Sequence, residues 1–306
     1  MSKYALWLCC LVGCPATTFA GAWTLPQGKF WGKATFLHQN ADEWYLATPQ
    51  FTDGVLHDVG ARKSYRFNGE YDLKAFIIEG FYGVTDRFDL GVKMPYFDQV
   101  FRDDTRKVAP EDAGFSALWV YAKWRALLQP ALLTVAVGAK IPTGKFKNED
   151  GFIPVGEGQW DFDFGAQLGR SFWPLPLYGN IDVGYRVRKE NKQIRRDPGD
   201  EWFLNAEVGY TITRRLMVMA KYERLRGDPA VEFGFLPNQS KIKQITYFCP
   251  TLSYGVLDHA ALELALRVTL NGQNFPAGRQ LALGFSGDLD VLSMLGRRQS
   301  GANRGH

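Results

Sequence analysis

Apolar and polar residues alternate at every second position along most of the chain. In the segment 160–169, aromatic and aliphatic residues alternate with acidic, amide and glycine residues, and the segment 180–188 repeats the pattern with Asp182, Arg186 and Arg188 on its polar face. Successive side chains of a β-strand point to opposite faces, whereas the same spacing would scatter apolar residues around a helix. The pattern therefore predicts β-strands with one apolar face and one polar face.

The alternating segments have the length of strands that cross a membrane. They extend over about 10–13 residues, compared with about 5–6 in strands of soluble proteins and about 9–11 in a tilted strand that crosses a bilayer. Short turns are predicted at 83–87, 127–130, 173–175, 211–214 and 255–258, and long polar connections at 40–68, 98–113, 143–158, 190–200, 227–241 and 271–278. Outer-membrane barrels have this asymmetry between short periplasmic turns and long extracellular loops.

These observations predict an all-β fold, a single antiparallel transmembrane β-barrel of about twelve strands. The predicted strands are 29–39, 70–82, 87–97, 114–126, 131–142, 159–171, 177–188, 201–211, 215–226, 243–254, 259–270 and 279–288. An even number of strands places both termini on the periplasmic side. Because the segments 70–82, 114–126 and 243–254 alternate poorly, counts of ten or fourteen strands remain open.

Aromatic residues concentrate near the predicted strand ends, where the amphipathic rings of barrels form girdles at the two membrane interfaces. The group expected near the short turns comprises Phe81, Tyr82, Trp124, Phe172, Trp173, Tyr178, Tyr210 and Tyr254. The group expected near the long loops comprises Tyr96, Phe97, Trp160, Trp202 and Tyr247. These positions predict two belts of rings, one at each interface.

The first twenty residues differ from the rest of the chain. Lys3 precedes a short apolar run over 5–13, and Thr18 and Ala20 place small residues where a signal peptidase recognises them. The run is too short to span a bilayer, so the segment is predicted to be a secretory signal peptide that is cut after Ala20. Lipidation at Cys14 is an alternative, because the residues before it resemble a lipobox. The predicted organisation is a signal peptide over 1–20, a barrel over 21–288 and a disordered periplasmic tail over 289–306.

Composition argues against several other functions. The formal net charge of +4 is spread along the sequence, without the block of basic residues that would indicate nucleic-acid binding. Three of the four cysteines precede residue 21, so Cys249 alone can form neither an internal disulfide nor a paired-cysteine metal site. The four histidines are His38, His57, His259 and His306. None of them has metal-ligand spacing to other potential ligands, and none has a nearby serine on the same strand face. We therefore predict no metal, no cofactor and no enzymatic activity.

The polar face of the predicted barrel carries charges of both signs. Pairing of the strands 159–171 and 177–188 across their short turn places Asp161 opposite Arg188 and, in the same register, Asp163 opposite Arg186. Opposite charges across a hairpin attract. Such a ladder can form a constriction that selects solutes, or it can fill and stiffen the interior. The residues predicted to line the pore are Lys93, Lys140, Asp161, Asp163, Asp182, Arg186, Arg188, Glu207, Lys221, Glu263 and Arg267.

Four stretches resemble a known family of outer-membrane proteins. They are GAWTLPQG at 21–28, GVTDRFDL at 83–90, VGAKIPTGK at 137–145 and PVGEGQWDF at 154–162. The chain resembles the outer-membrane family named for the meta pathway of phenol degradation, and this resemblance implies a transporter of small, aromatic or hydrophobic compounds. Barrels of this kind commonly end in a strand with a terminal aromatic residue, whereas this chain continues over 289–306.

The predicted function is an outer-membrane channel or transporter of a Gram-negative bacterium, through whose polar lumen small molecules diffuse passively. The expected partners are outer-membrane lipid and lipopolysaccharide, the barrel-assembly machinery, periplasmic chaperones and a small-molecule solute, with no nucleic acid. A surface protein that acts in adhesion or biofilm formation without transport is one alternative. A lipid-modifying outer-membrane enzyme is another, but the histidines give it little support.

Overall fold

Twelve long strands form a closed antiparallel barrel in the computed structural model, which describes residues 21–290 apart from 53, 106, 110, 145, 147–154 and 233–235. The strands are β1 (Lys29–Tyr45), β2 (Glu70–Thr85), β3 (Phe88–Arg102), β4 (Glu111–Phe115 and Leu118–Leu127), β5 (Leu132–Ile141), β6 (Asp161–Ser171), β7 (Leu177–Arg188), β8 (Glu201–Thr211), β9 (Leu216–Gly227), β10 (Gln244–Leu257), β11 (Ala260–Gln273) and β12 (Phe275–Asp290). Strand β12 pairs with β1 and closes the barrel. The predicted signal peptide and the tail after Asp290 lie outside the described residues.

The predicted all-β barrel of twelve strands is confirmed, but several strands are longer than the sequence indicates. On the side of the long connections, β1 continues to Tyr45 and β3 to Arg102. Beyond the lipid both faces of a strand can be polar, so the alternation of apolar and polar residues fades while the backbone hydrogen bonds continue. At the other end, β12 includes Leu289 and Asp290, which the sequence assigns to the tail.

The prediction of a long connection over 271–278 is wrong. Strand β11 ends at Gln273 and β12 begins at Phe275, so that one residue, Asn274, joins them. Asn274 has a φ of 55°, a left-handed conformation that asparagine adopts more readily than most residues. The polar residues around this turn lie above the lipid band, where they do not interrupt strand pairing.

The two faces of the barrel differ as the alternation predicts. Apolar side chains on the outer face are exposed, for example Leu90, Phe164 and Leu264, which are 49%, 53% and 48% accessible. Charged side chains such as Asp161 and Glu263 point inward and are buried. The described residues contain no helix long and apolar enough to cross a bilayer.

The two predicted aromatic belts are only partly found on the outer face. Trp124, Trp173 and Trp202 are more than half exposed there. Four other rings lie inside instead, so their assignment to the belts is wrong. These four are Phe81, Phe97, Tyr178 and Tyr247.

The inner aromatic rings depend on glycines in the neighbouring strand. Phe81 lies directly opposite Gly91, and a Cβ atom at Gly91 would overlap its ring. The same relation joins Tyr178 to Gly209 across β7 and β8. Two further pairs of this kind are Tyr121 with Gly138 and Phe203 with Gly184. A glycine on the inner face therefore lets a ring lie flat against the wall of the barrel.

Short additional strands occupy the long connections. Arg62–Ser64 pairs with the end of β1, and Gln50–Thr52 forms a hairpin with Val55–His57. A separate small sheet joins Arg196–Asp197, Ala230–Glu232 and Leu236–Asn238. The end of the barrel with the short turns is accordingly the periplasmic end, and these additions mark the extracellular end.

Replacing Leu264 with arginine tests which face meets lipid. We expect Leu264→Arg to reduce the free energy of unfolding in phospholipid vesicles by about 2–4 kcal/mol, because arginine near the bilayer midplane is desolvated. Leu270→Arg, near the extracellular end of the same strand face, should cost about 0–1 kcal/mol. Urea titration of folding in vesicles measures both values. Equal losses for the two variants would contradict this placement of the lipid band.

Candidate functional site

A cavity of about 790 Å³ occupies the middle of the barrel. Each of the twelve strands contributes at least one residue to its lining, so the cavity is the lumen of the barrel rather than a pocket in one wall. Because side chains alternate between lipid and lumen, every second residue of a strand faces this space. The lumen is therefore the candidate site for a solute.

All eleven residues predicted to line the pore lie on the inner face. Seven of them border the cavity, namely Lys93, Asp163, Asp182, Arg186, Glu207, Lys221 and Arg267. The other four are at most 4% exposed, and they are Lys140, Asp161, Arg188 and Glu263. Each of these four is held in an ion pair beside the cavity. Their role in transport stays a prediction.

The predicted charge ladder between β6 and β7 has the expected register. Asp161 lies opposite Arg188, and Asp163 lies opposite Arg186. The Arg186 guanidinium donates to both carboxylate oxygens of Asp163, over 2.7 and 3.2 Å, and to Glu201 over 2.9 Å. Arg188 donates to Glu201 over 2.8 Å. The two arginines of β7 thus bind two carboxylates on the flanking strands β6 and β8, which offsets the desolvation of these charges.

A loop residue, Glu157, completes this network at the extracellular end. Its carboxylate accepts from Lys140 over 2.5 Å and from Arg188 over 2.6 Å, and lies 3.4 Å from the Lys243 ammonium. The Asn191 amide also donates to the backbone carbonyl of Glu157 over 2.7 Å. We call Glu157, Lys140, Arg188 and Lys243 the Glu157 clamp. They join the loop before β6 to β5, to β7 and to the residue that precedes β10.

The clamp favours the ionised form of Glu157. Partial desolvation would by itself raise the pKa of this carboxyl, whose side chain is 42% exposed, but the positive charges of Arg188, Lys243 and Lys140 outweigh it and hold the pKa well below its ordinary value of 4.5. Sequence reasoning missed Glu157 because it lies in a loop, where strand registers make no prediction. The only available signal was its place in the PVGEGQWDF stretch.

The opposite side of the lumen holds a second set of ion pairs. Lys33 lies 2.6 Å from Glu263, and Lys221 lies 2.8 Å from Glu207. Arg267 donates to Glu223 and to Gln280, and its guanidinium stacks 4.1 Å from the centre of the Tyr247 ring. Most charged groups of the lumen thus have a partner of opposite sign, so the wall carries little net field.

One part of the lumen wall is apolar, which the prediction of a polar lumen did not include. Leu37, Ala75 and Ala282, from β1, β2 and β12, form a buried cluster in directly opposed positions. Partly buried apolar residues extend this strip, namely Leu73, Ile77, Phe97 and Ala265. The lumen therefore has an apolar strip on one side and ion-paired side chains elsewhere.

The segment 21–28, which precedes β1, lies inside the periplasmic end of the lumen. The Lys123 ammonium donates to the backbone carbonyl of Gly21 over 2.5 Å and to that of Trp23 over 3.3 Å. The Asp89 carboxylate accepts the Leu25 N–H over 3.1 Å. We call this segment the N-terminal plug. It lies between the cavity, which Gly21 borders, and the short turn at Asp86, to which Thr24 and Gln27 bond.

Further contacts seat the plug closely against the barrel wall. The Asn180 side-chain oxygen accepts the Ala22 N–H over 2.9 Å, and the Thr134 hydroxyl donates to the Ala22 carbonyl. Ala22 is fully buried, and a Cβ atom at Gly169 would lie 2.9 Å from its side chain. The sequence predicts no such plug, because 21–28 lacks alternation and its partners are read as ordinary lumen residues.

His38 has a partner that the sequence did not reveal. Its imidazole lies 2.8 Å from the Asp72 carboxylate, on the outer surface near the extracellular end of β1. The hydrogen bonds of the described residues bring no serine, threonine or cysteine side chain to this ring. The described residues also contain no group of three or more potential metal ligands. The His38–Asp72 pair therefore lacks the nucleophile that a hydrolase needs.

The sequence model of one family matches residues 67–285. Its description is "Putative MetA-pathway of phenol degradation". The chain belongs to this family. The resemblance read from the sequence motifs is thereby confirmed, and the matched residues include β2 to β11 in full. A search of curated protein sequences returned no match.

A solved structure with the same fold is the COG4313 outer membrane channel from Pseudomonas putida F1. It is 17% identical to this family member, covers 88% of this chain and 98% of its own, and has a TM-score of 0.71. The KdgM porin, 7% identical over 84% of this chain and 98% of its own, has a TM-score of 0.45. A FadL homologue from Pseudomonas aeruginosa, 8% identical over 91% of this chain and 95% of its own, has a TM-score of 0.42. The first of these likenesses supports the outer-membrane barrel fold.

Replacing Glu157 with glutamine tests the clamp. The variant loses its charge-assisted bonds to Lys140, Arg188 and Lys243, so the loop should leave the mouth of the barrel more often, by about tenfold. We expect larger and noisier single-channel currents in planar bilayers. Since the pKa of Glu157 is depressed, the clamp stays intact above the ordinary value of 4.5 and is lost only as the pH falls through the lower folded value.

The difference between wild type and Glu157→Gln should thus persist from pH 7 to about pH 5 and narrow in more acidic solution. Measuring both proteins at each pH separates Glu157 from other carboxylates, because those titrate in both. Identical currents at pH 7 would show that the clamp does not control the mouth.

Proposed function

We propose that this protein is an outer-membrane channel through which small aromatic or hydrophobic molecules diffuse passively. The observation that carries the proposal is the central cavity, to which all twelve strands contribute and whose periplasmic end holds the N-terminal plug. A barrel that served only as a surface anchor has no need of such a space. Among the described residues, the His38–Asp72 pair has no nucleophile bonded to it, so this pair does not support the enzyme alternative.

The lining of the lumen supports this class of solute. An aromatic or aliphatic molecule can contact the strip around Leu37, Ala75 and Ala282 while polar substituents face ion-paired side chains. Partnered charges offer a solute hydrogen bonds without a strong field of one sign, so neutral molecules are not disfavoured. The family description, which refers to phenol degradation, agrees with an aromatic cargo.

The plug gives the channel a closed state. Hydrogen bonds hold it, two of them from the Lys123 ammonium and one from the Leu25 N–H, which both oxygens of the Asp89 carboxylate share. Each charge-assisted bond contributes about 1.5–3 kcal/mol, which thermal motion or a solute can overcome one at a time. In our proposal the plug moves aside as a solute passes.

The position of the plug also supports a proposal about export and processing. We infer a signal peptide that is cut after Ala20, because Gly21 then becomes the free end of a plug that already lies inside the barrel. Twenty more residues in the lumen would compete with the plug for its binding groups. The mature protein would reach the outer membrane with periplasmic chaperones and the barrel-assembly machinery, and would contact lipopolysaccharide there.

Displacing the plug with a larger side chain tests the gate. Gly169→Leu places a side chain where the plug lies, since even a Cβ atom would come within 3.0 Å of Ala22 and Trp23. We expect a higher single-channel conductance and faster swelling of proteoliposomes in solutes of low mass. The matched control is Gly179→Leu, because the nearest neighbour of a Cβ atom there is the Phe172 ring at 3.5 Å.

The control should behave as wild type. If Gly169→Leu folds, as judged by heat-dependent gel mobility, and conducts as wild type does, the plug is not the gate. If wild type and both variants carry no current at all, the channel proposal fails.

Removing Arg186 tests whether its network faces the conducting path. Arg186→Ala leaves Asp163 and Glu201 without their shared cation, so the lumen becomes more negative. We expect a shift of the reversal potential towards cation selectivity in a salt gradient, and a stability loss of about 3–5 kcal/mol from the broken buried pairs. Arg214→Ala, on a periplasmic turn, is the control. Unchanged selectivity in Arg186→Ala would place the network outside the path.

A further inference from the structure

A second cavity lies outside the barrel lumen, at its extracellular end. The hairpin of Gln50–Thr52 and Val55–His57 stands beside Arg62–Ser64, which is itself paired with the end of β1. The groove between them has a volume of about 730 Å³, comparable to that of the lumen cavity. We call it the outer groove.

Aromatic rings form one side of the outer groove. The Trp44 and Tyr65 rings lie 5.9 Å apart at an interplanar angle of 54°. Tyr65 is in turn held edge-on against Phe101, at 5.1 Å. This contact fixes the orientation of Tyr65, so the groove presents a preformed surface on which a flat ring can stack.

Cations form another part of the lining. Lys63 and Arg66 both border the groove, and none of the described residues that line it carries a carboxylate. The Lys63 ammonium is positioned by the Thr52 hydroxyl at 2.5 Å and by His57 Nε2 at 3.2 Å. The Arg66 guanidinium is exposed and makes no hydrogen bond or ion pair with another described residue.

This combination differs from the charge pattern of the lumen. Inside the barrel, arginines such as Arg186 pair with carboxylates. Arg62, which lies outside the groove, likewise pairs with Glu43. Arg66 instead offers a free fork of N–H donors beside two aromatic rings. A planar guanidinium binds a carboxylate through two parallel hydrogen bonds.

We propose that the outer groove binds a small planar aromatic anion, with its ring on Trp44 and Tyr65 and its carboxylate at the Arg66 guanidinium. The site is separate from the lumen and does not depend on conduction. A phosphate group of lipopolysaccharide would use the Arg66 guanidinium but leave the rings without a role, so the rings favour the aromatic ligand. This binding would collect such anions at the entrance side of the barrel.

Fluorine NMR of 4-fluorobenzoate with the detergent-solubilised full-length mature protein tests the proposal. We expect saturable broadening of the ligand line, and a Kd that rises about tenfold or more in Arg66→Gln and in Trp44→Leu. Lys192→Gln, which removes one positive charge from a different extracellular connection, should bind as wild type does. The uncharged 4-fluorobenzamide should bind at least about tenfold more weakly than 4-fluorobenzoate.

The outcomes separate the alternatives. Wild-type affinity in both Arg66→Gln and Trp44→Leu would overturn the proposal. Displacement of 4-fluorobenzoate by an equal concentration of inorganic phosphate would show an anion site without aromatic recognition, which also overturns it. Because these measurements need no current through the barrel, their failure would leave the proposed channel function standing, and the reverse is also true.

Discussion

Every backbone N–H and C=O group within the hydrocarbon of a membrane needs a partner inside the protein, and the pairing of β12 with β1 meets that need. Without this last ladder, the edges of both strands would be exposed to lipid. Once the sheet is closed, the two-residue period of each strand decides which side chains meet lipid and which meet the lumen. The interior chemistry of this protein follows from that one closure.

Closure brings many charged side chains into a space of limited hydration, and each needs a partner there. Most find one in an adjacent strand, as Arg186 does in Asp163 and Glu201. Lys123 and Asp89 also lie opposite each other, but they bond to backbone groups of the N-terminal plug as well. Charged side chains that require partners inside the lumen thus also form the binding site of the plug.

The sequence predicts those parts of the structure in which local period and global position agree. The inward direction of Lys140 or Glu207 follows from alternation. The register of Asp161 with Arg188 also needs the position of the short turn, and the alternation left counts of ten or fourteen strands open. Features that depend on tertiary contacts were missed. The plug and Glu157 lie outside strands, and the turn at Asn274 lies among polar residues above the lipid, where alternation gives no signal. The rings of Phe81 and Tyr247 point inward because of their alternate positions along their strands, although aromatic residues often favour the membrane interfaces.

The glycines opposite inner aromatic rings separate two quantities that barrels usually link. Strand number fixes the backbone diameter, but the thickness of the side-chain layer sets how much of that diameter is open. A ring that lies flat over Gly91 or Gly184 thins this layer while still offering an apolar surface. Relatives could therefore adjust their internal width by exchanging a glycine and its opposing ring, with no change in strand number or shear.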